Sequence, residues 1–295
     1  MTLIGPDIEA LIARFRALQQ TPEAKEKTAK ADAEGKRLAV EPTPGPDCPD
    51  CQNQRVILVK DERGMTIAKP CHCRAATEAY RLIQASGLSE MLEDMTFTTF
   101  FAELDWQKTM YHVALEYVDA VQKGSFAWFA ALGETGGGKT HICTAIAGSL
   151  LGAGIPVRWI EWSRLKEMGK KRYGNFQQAQ DNEAEFNKLK TCRALYIDDF
   201  MSKEFTAADI DCAFEIISHR YTIRLPTIIS SERGPSRLRE VDEAIAGRII
   251  EMSRRYGEYM VYLPLGGGAN QRTKNYMIDE AEAARLKSGD DSDGD

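Results

Sequence analysis

The sequence predicts an α/β fold: a central parallel sheet layered between helices, preceded by a small cysteine-bearing module and an N-terminal helix. Three observations predict it. Short apolar, β-rich runs (WFAALG, VRWIEW, RALYIDDF and PTIISSE) alternate with helical segments from about residue 95 onward, as expected of strands covered on both faces. A glycine-rich turn joins the first of these runs to an apolar helix. Upstream, two cysteine pairs bracket residues 48–73.

Composition narrows the class. A chain of 295 residues has room for two domains at roughly 150 residues each. With 43% hydrophobic and 28% charged residues it can build a sizeable core, which argues against a wholly disordered chain. No apolar run reaches the ~18–20 residues of a membrane span. The opening MTLIGPDIEALIARF lacks the basic and apolar regions of a secretory signal, so a cytoplasmic protein with no membrane partner is expected. The net charge of -6 argues against a globally basic nucleic-acid binder. Much of the excess acid, however, falls in DEAEAARLKSGDDSDGD, read as a solvated tail over residues 279–295. The remainder is close to balanced, and a local basic surface can still meet nucleic acid.

Along the chain, Ile8, Leu11, Ile12, Phe15 and Leu18 have the spacing of an amphipathic helix. A helix-prone stretch nearly free of apolar residues follows, making residues 1–45 a helical arm that PTPGP closes. Residues 46–90 form the cysteine module. RVILV and MTIA read as two strands about a charged DERG turn, with Cys48 and Cys51 at one end and Cys71 and Cys73 at the other. Four thiolates suit a tetrahedral zinc ion at about 2.3 Å, and so small a segment needs the metal's binding free energy to fold. The site reads as structural, because neither an open coordination position nor a general base is visible beside it. The second pair is C-x-C, which leaves His72 as an alternative ligand, and four free or redox cysteines are the bland alternative. A helix follows from Arg74 to about Ser86. Cys143, Cys192 and Cys212 lie in apolar contexts and read as core residues.

The strongest signal is Gly133-Glu134-Thr135-Gly136-Gly137-Gly138-Lys139-Thr140, with a β-run before it and a helix opening at His141. This is a phosphate-binding loop: its glycines let backbone N–H groups turn toward phosphates, and the helix N-terminus adds partial positive charge. Lys139 is expected to reach the β- and γ-phosphates, and Thr140 to hold magnesium. RALYIDDF supplies the second acidic site. Asp198 is placed to bind Mg2+ through water and Asp199 to polarise an attacking water, a Walker B arrangement; two acids opening a loop is the bland alternative. The strand-like PVRWIEW between the two motifs favours the additional-strand class of P-loop ATPases. Lys166, Lys170, Lys171 and Arg172, with Arg164 and the aromatics Trp162, Tyr173 and Phe176, form a candidate contact for single-stranded DNA. A solvated basic helix face is an equal alternative. At the end of PTIISSE, Ser231 or Glu232 is a candidate γ-phosphate sensor, against a plain strand exit. Arg248, on the otherwise apolar VDEAIAGRIIEM helix, requires an acidic partner or a neighbouring subunit's phosphate.

In this order, the cysteine cluster, GETGGGKTH, YIDDF, PTIISSE and GRIIEM resemble the DnaC-like and DnaI-like bacterial and phage helicase loaders, with the IstB transposition ATPases as close relatives. The resemblance runs over roughly residues 45–275. It implies an AAA+ three-layer sandwich over residues 91–278 that binds ATP and Mg2+ and hydrolyses ATP slowly under partner control. It further implies a replicative DNA helicase as partner through the N-terminal region, single-stranded DNA as a second partner, and a homo-oligomer in the ATP state. By the same resemblance, Gly133 to His141 hold nucleotide, Asp198 and Asp199 are the Walker B pair, and Arg248 is the arginine finger. About 45 residues follow Arg248, too few for a full helical lid. Two departures stand out: Ser230-Ser231-Glu232 replaces the asparagine often found after the sensor strand, and GGGAN reads as a hairpin turn. The competing readings are an IstB-type transposition helper, which the cysteine module weighs against, a metabolic P-loop kinase, which would need a closing lid that the stretch after Arg248 is too short to supply, and a zinc adaptor using ATP only as a binding switch.

Overall fold

The structure, a computed structural model, describes residues 47–172 and 176–263; the expected N-terminal arm, the GGGAN turn and the acidic tail lie outside the described residues. Strands β1 (Val56–Lys60) and β2 (Thr66–Pro70) pair antiparallel as the ribbon that carries the cysteines. Helix α1 (Cys73–Ser86) follows, starting one residue earlier than its sequence pattern suggests and ending at Gly87 in the left-handed conformation (φ 84°), a common glycine stop. Short α2 (Met91–Asp94) and long α3 (Asp105–Gln122) lead into the layered core.

That core is a five-stranded sheet of β3 (Trp128–Gly133), β4 (Val157–Glu161), β5 (Ala194–Asp198), β6 (Thr227–Ser231) and β7 (Met260–Leu263). Its order is β4-β5-β6-β3-β7, and every neighbouring pair is parallel. The connecting helices are α4 (Lys139–Gly152), α5 (Trp162–Lys171), α6 (Phe176–Thr191), α7 (Ala207–Thr222), α8 (Pro235–Val241) and α9 (Glu243–Arg254). This is the three-layer α/β sandwich that the sequence predicts, with β6 inserted between the strands bearing the two phosphate-site motifs. Among the described residues no helix is long and apolar enough to cross a membrane.

Strand alternation splits the buried apolar side chains into two cores. On β3, Phe129 and Ala131 face α3 and α4, while Trp128, Ala130 and Leu132 face α5, α7 and α9. Each fully buried Ile, Leu or Phe contributes roughly 1.5–3 kcal/mol relative to exposure, and with both faces covered the strands must be apolar throughout. Leu82 and Ile83 of α1, with Leu88 and Leu92, pack into the α3–α4 core. The segment after the cysteines is thus built into the sandwich, and a boundary near residue 90 cuts through packed side chains.

The helix starts are locally encoded. Thr206 caps α7 and forms a reciprocal box with Asp209, and the Asp242 side chain accepts the Ile245 N–H at 2.7 Å to open α9. One buried cation ties the far side together. Arg220 of α7 is completely buried, and its guanidinium donates to the carbonyls of Leu189 (2.9 Å), Cys192 (3.0 Å) and Pro226 (2.6 Å) and to the Thr227 hydroxyl (2.9 Å). It bridges the end of α6 and the entry to β6, adding a charged donor to carbonyls of both. Arg220→Met is expected to lower unfolding stability by about 3 kcal/mol, because the buried carbonyls lose their donor. Arg220→Lys should restore little, since an ammonium cannot span the set. Urea denaturation of the nucleotide-free protein checks this as a shift in midpoint.

Candidate nucleotide site and cysteine cluster

The phosphate loop lies at the carboxyl ends of the parallel strands, where open α/β sheets place ligands. Its first turn depends on Gly133. The residue has φ 106°, and a Cβ there would stand 1.9 Å from the Leu263 carbonyl oxygen. Only glycine lets β7 close beside β3 so that the Glu134 N–H can donate to Leu263 O at 2.8 Å. Gly138, at φ 76°, opens α4, and a Cβ on it would meet the Phe100 ring at 2.9 Å. Lys139 is buried with its ammonium donating to the carbonyls of Gly133 (3.0 Å) and Glu134 (2.6 Å), which holds the charge at the loop.

Across β6, the loop meets the acidic strand end. Thr140 Oγ1 donates to Asp198 Oδ1 at 3.2 Å, Tyr196 OH donates to the same oxygen at 2.7 Å, and the Ser230 hydroxyl makes a third, short bond to it. The Ser230 hydroxyl also accepts the Asp199 N–H at 2.9 Å. Register explains this grouping: Ile197 faces Ile229, so Asp198 and Ser230 come next on adjacent strands. Asp199 has a left-handed backbone (φ 51°) and is half-buried. Burial, with Asp198 and Glu232 nearby, pushes its carboxyl above the ordinary value of 3.8.

The surroundings of the remaining site candidates correct the expectations for Ser231, Arg172 and Lys166. Ser231, one of the two sensor candidates, donates to Phe200 O at 2.7 Å; Ser230 is the hydroxyl beside the acids. Arg172, taken as a DNA contact, is a strut: it pairs with Glu183 (2.5 Å) and Glu215 (2.8 Å) and lies 3.9 Å over the Phe186 ring. Lys166 donates to the Glu204 carbonyl at 2.7 Å. Lys170 and Lys171 remain exposed, but each faces an acid, Asp209 at 3.8 Å and Glu167 at 3.6 Å, so the four do not form a free basic patch. Arg248 donates to Ala244 O at 2.9 Å and lies over the rings of Phe214 (5.0 Å) and Tyr221 (5.5 Å). Its contacts are thus with α7 and α9, and it is not brought to the phosphate loop of its own chain.

The sequence reading also missed a strap. Residues 95–101 run over the loop: the Thr96 carbonyl accepts from His141 Nε2 at 2.9 Å, and the Phe100 ring meets the His141 imidazole edge-on at 5.3 Å. Burial lowers the His141 pKa below its ordinary value, keeping the ring neutral. Phe100, Phe101, Gln107 and His141 line a small cavity of about 150 Å³ beside the glycines. The only prior sign was the apolar FTTFF run ahead of α3.

At the other end, all four sulfurs of Cys48, Cys51, Cys71 and Cys73 are buried and lie within 4.8 Å of one another. The Cys48–Cys71 and Cys51–Cys73 separations are 3.7 and 3.4 Å. Zinc–sulfur bonds of about 2.3 Å in a tetrahedron put sulfurs about 3.8 Å apart, so the donor set fits a structural zinc ion. The Arg55 N–H donates to Cys51 Sγ at 3.3 Å and its guanidinium to Cys73 Sγ at 3.6 Å, supporting thiolate ligands from outside. His72 is exposed, beside Asp50 at 3.5 Å, and the four cysteines complete a set without it.

Residues 57–243 match the family described as IstB-like ATP binding protein, so this chain belongs to that family. It is 31% identical over 202 residues to the uncharacterized protein YqaM of Bacillus subtilis (strain 168), covering 65% of this chain and 63% of YqaM. It is 28% identical over 221 residues to the phage-like element PBSX protein XkdC of the same organism, covering 71% of this chain and 80% of XkdC. Thus the chain spans less than two thirds of YqaM. A crystal structure of the DnaC helicase loader superposes with a TM-score of 0.48 at 18% identity, over 57% of this chain and 96% of that one.

Two outcomes follow from these geometries. The purified protein should carry about one zinc per chain, and Cys51→Ser should release it and leave the remaining thiols open to alkylation. Elemental analysis with thiol counting checks this. Asp199→Asn should raise the melting temperature of the nucleotide-free protein at pH 7 by about 2 °C. The sign follows from the raised carboxyl: its contribution to stability is complete below 3.8 and is lost as pH rises through the folded value. The gain should therefore vanish as the pH falls toward 3.8, measured by thermal melts across pH.

Proposed function

We propose that this protein is an ATP-dependent loader of the replicative DNA helicase onto single-stranded DNA during replication initiation. The observation that carries the ATPase reading is the Thr140–Asp198 hydrogen bond, which joins the phosphate loop to the acidic strand end across β6. Membership of an ATP-binding family supports it. The loader reading is supported by the cysteine module ahead of the ATPase core and by the likeness to a phage-element protein.

In this reading, Gly133 to Thr140 bind the phosphates through backbone N–H groups and the positive end of α4. Magnesium, when bound, neutralises phosphate charge; Thr140 and Asp198 would hold it. Lys139 exchanges its loop carbonyls for the β- and γ-phosphates. Asp199 takes a proton from the attacking water, a role its raised pKa suits. Ser230, bonded to both acids, links their positions and takes the sensor role in place of Ser231. Arg248, stacked on two rings away from its own loop, reaches a neighbouring subunit's nucleotide in an ATP-state homo-oligomer. The N-terminal region and zinc module engage the helicase. Lys170 and Lys171 are the remaining DNA-contact candidates of α5, and their acidic neighbours make that contact weak and salt-sensitive.

A second reading is favoured by the family itself: a transposition helper ATPase, for which a transposase would replace the helicase as partner. The proposed loader should retain the replicative helicase of its host in pull-downs with ATP and single-stranded DNA. Lys139→Ala should lower ATP hydrolysis at least about 100-fold and abolish ATP-dependent retention while leaving the zinc content unchanged. Normal ATP turnover by Lys139→Ala would overturn the ATPase reading. Retention of a transposase in place of the helicase would decide for the second.

A further inference from the structure

Tyr196 is a polar side chain among the apolar Ala194, Leu195 and Ile197 of β5, completely buried in the layer between β5 and α4. A phenylalanine would fill that space equally well, so the hydroxyl itself requires an explanation. A buried phenol needs a hydrogen-bond partner, and Tyr196 finds it in the acid two residues ahead on its own strand. The hydroxyl donates to Asp198 Oδ1 at 2.7 Å and lies 3.4 Å from the Thr140 carbonyl at the start of α4.

Ser230 and Thr140 donate to the same oxygen. Three hydroxyls from three elements (β5, β6 and α4) thus converge on Oδ1, whereas no hydrogen bond to Oδ2 is formed by the described residues. A carboxylate with one oxygen fully engaged has its plane fixed, and the second oxygen is the one left to receive a cation. We infer that Tyr196 is a positioning residue for Asp198: it holds Oδ1 so that Oδ2 faces the divalent cation of the bound nucleotide. The inference rests on the nucleotide-binding reading above and deepens it, because it assigns the aim of the acid to a residue that touches neither nucleotide nor metal. It also explains the order of donors. Thr140 is itself a metal ligand in that reading, whereas Tyr196 and Ser230 act on Asp198 alone.

The test is Tyr196→Phe, which keeps the ring and removes only the hydroxyl. Three measurements are made beside wild type: ADP binding in EDTA, Mn2+ binding to the ADP complex by electron paramagnetic resonance, and the Mg2+ concentration giving half-maximal ATP hydrolysis. The expected result is unchanged ADP binding in EDTA, Mn2+ binding weakened about tenfold and a matching rise in the Mg2+ requirement, the scale of one lost hydrogen bond to a charged group. Wild-type Mn2+ affinity in the variant would overturn the inference. Loss of ADP binding in EDTA would overturn it too, because the hydroxyl would then be shaping the loop rather than aiming the acid. Wild-type protein that binds no nucleotide would sink the underlying reading, and the inference with it, so the two failures are told apart by the wild-type arm alone.

Discussion

The carboxylate of Asp198 is the constraint on which the site depends. It is buried at the end of β5, where a carboxylate needs compensating donors. Donors arrive from Tyr196 on its own strand, Ser230 on β6 and Thr140 on α4. Satisfying this one group therefore fixes three things: which residue of β6 lies beside β5, how far α4 stands from the sheet, and which way the acid points. In the proposed reading the donors met on folding occupy Oδ1 and leave Oδ2 for the nucleotide's cation, so both demands fall on one carboxylate.

The insertion of β6 between β3 and β5 makes the coincidence possible. Were β3 and β5 neighbours, the phosphate loop and the acids would abut with no room for a third element. With β6 between them, its final residues lie within reach of both motifs. The apolar cores on the two sheet faces then hold the strands so that this small register difference is not negotiable, since slipping one residue would exchange Ser230 for Ser231 and turn Ile228 and Ile229 to the wrong sides. At the opposite edge, Gly133 does comparable work by admitting β7 against the start of the loop.

Much of this was legible in the sequence. The strand runs, the phosphate loop with its flanks, the paired acids and the four cysteines each carry a local signature whose spacing is tied to their chemistry. What was not legible depends on how strands sit beside one another. PTIISSE offers two adjacent serines, and only the register with β5 decides that Ser230 meets the acids while Ser231 meets a carbonyl. The basic run of α5 reads as a nucleic-acid surface because Glu183 and Glu215, which neutralise Arg172, come from helices 11 and 43 residues further on. FTTFF carries no recognisable pattern, since its task is to cover a loop that is distant in sequence.

That strap has a mechanical consequence. It follows α1 and α2, both packed on the α3–α4 core, and closes on His141, which directly follows Thr140. The cysteine cluster sits at the start of α1, and Cys73 is both a cluster member and the first residue of that helix. A continuous run of packed chain therefore connects the cysteine module to the first turn of the nucleotide-site helix, without any long linker between them. The Phe100 ring, 2.9 Å from where a Cβ on Gly138 would stand, leaves little slack at the last contact. A module stapled by four cysteines and a loop shaped by glycines thus share one stiff connection.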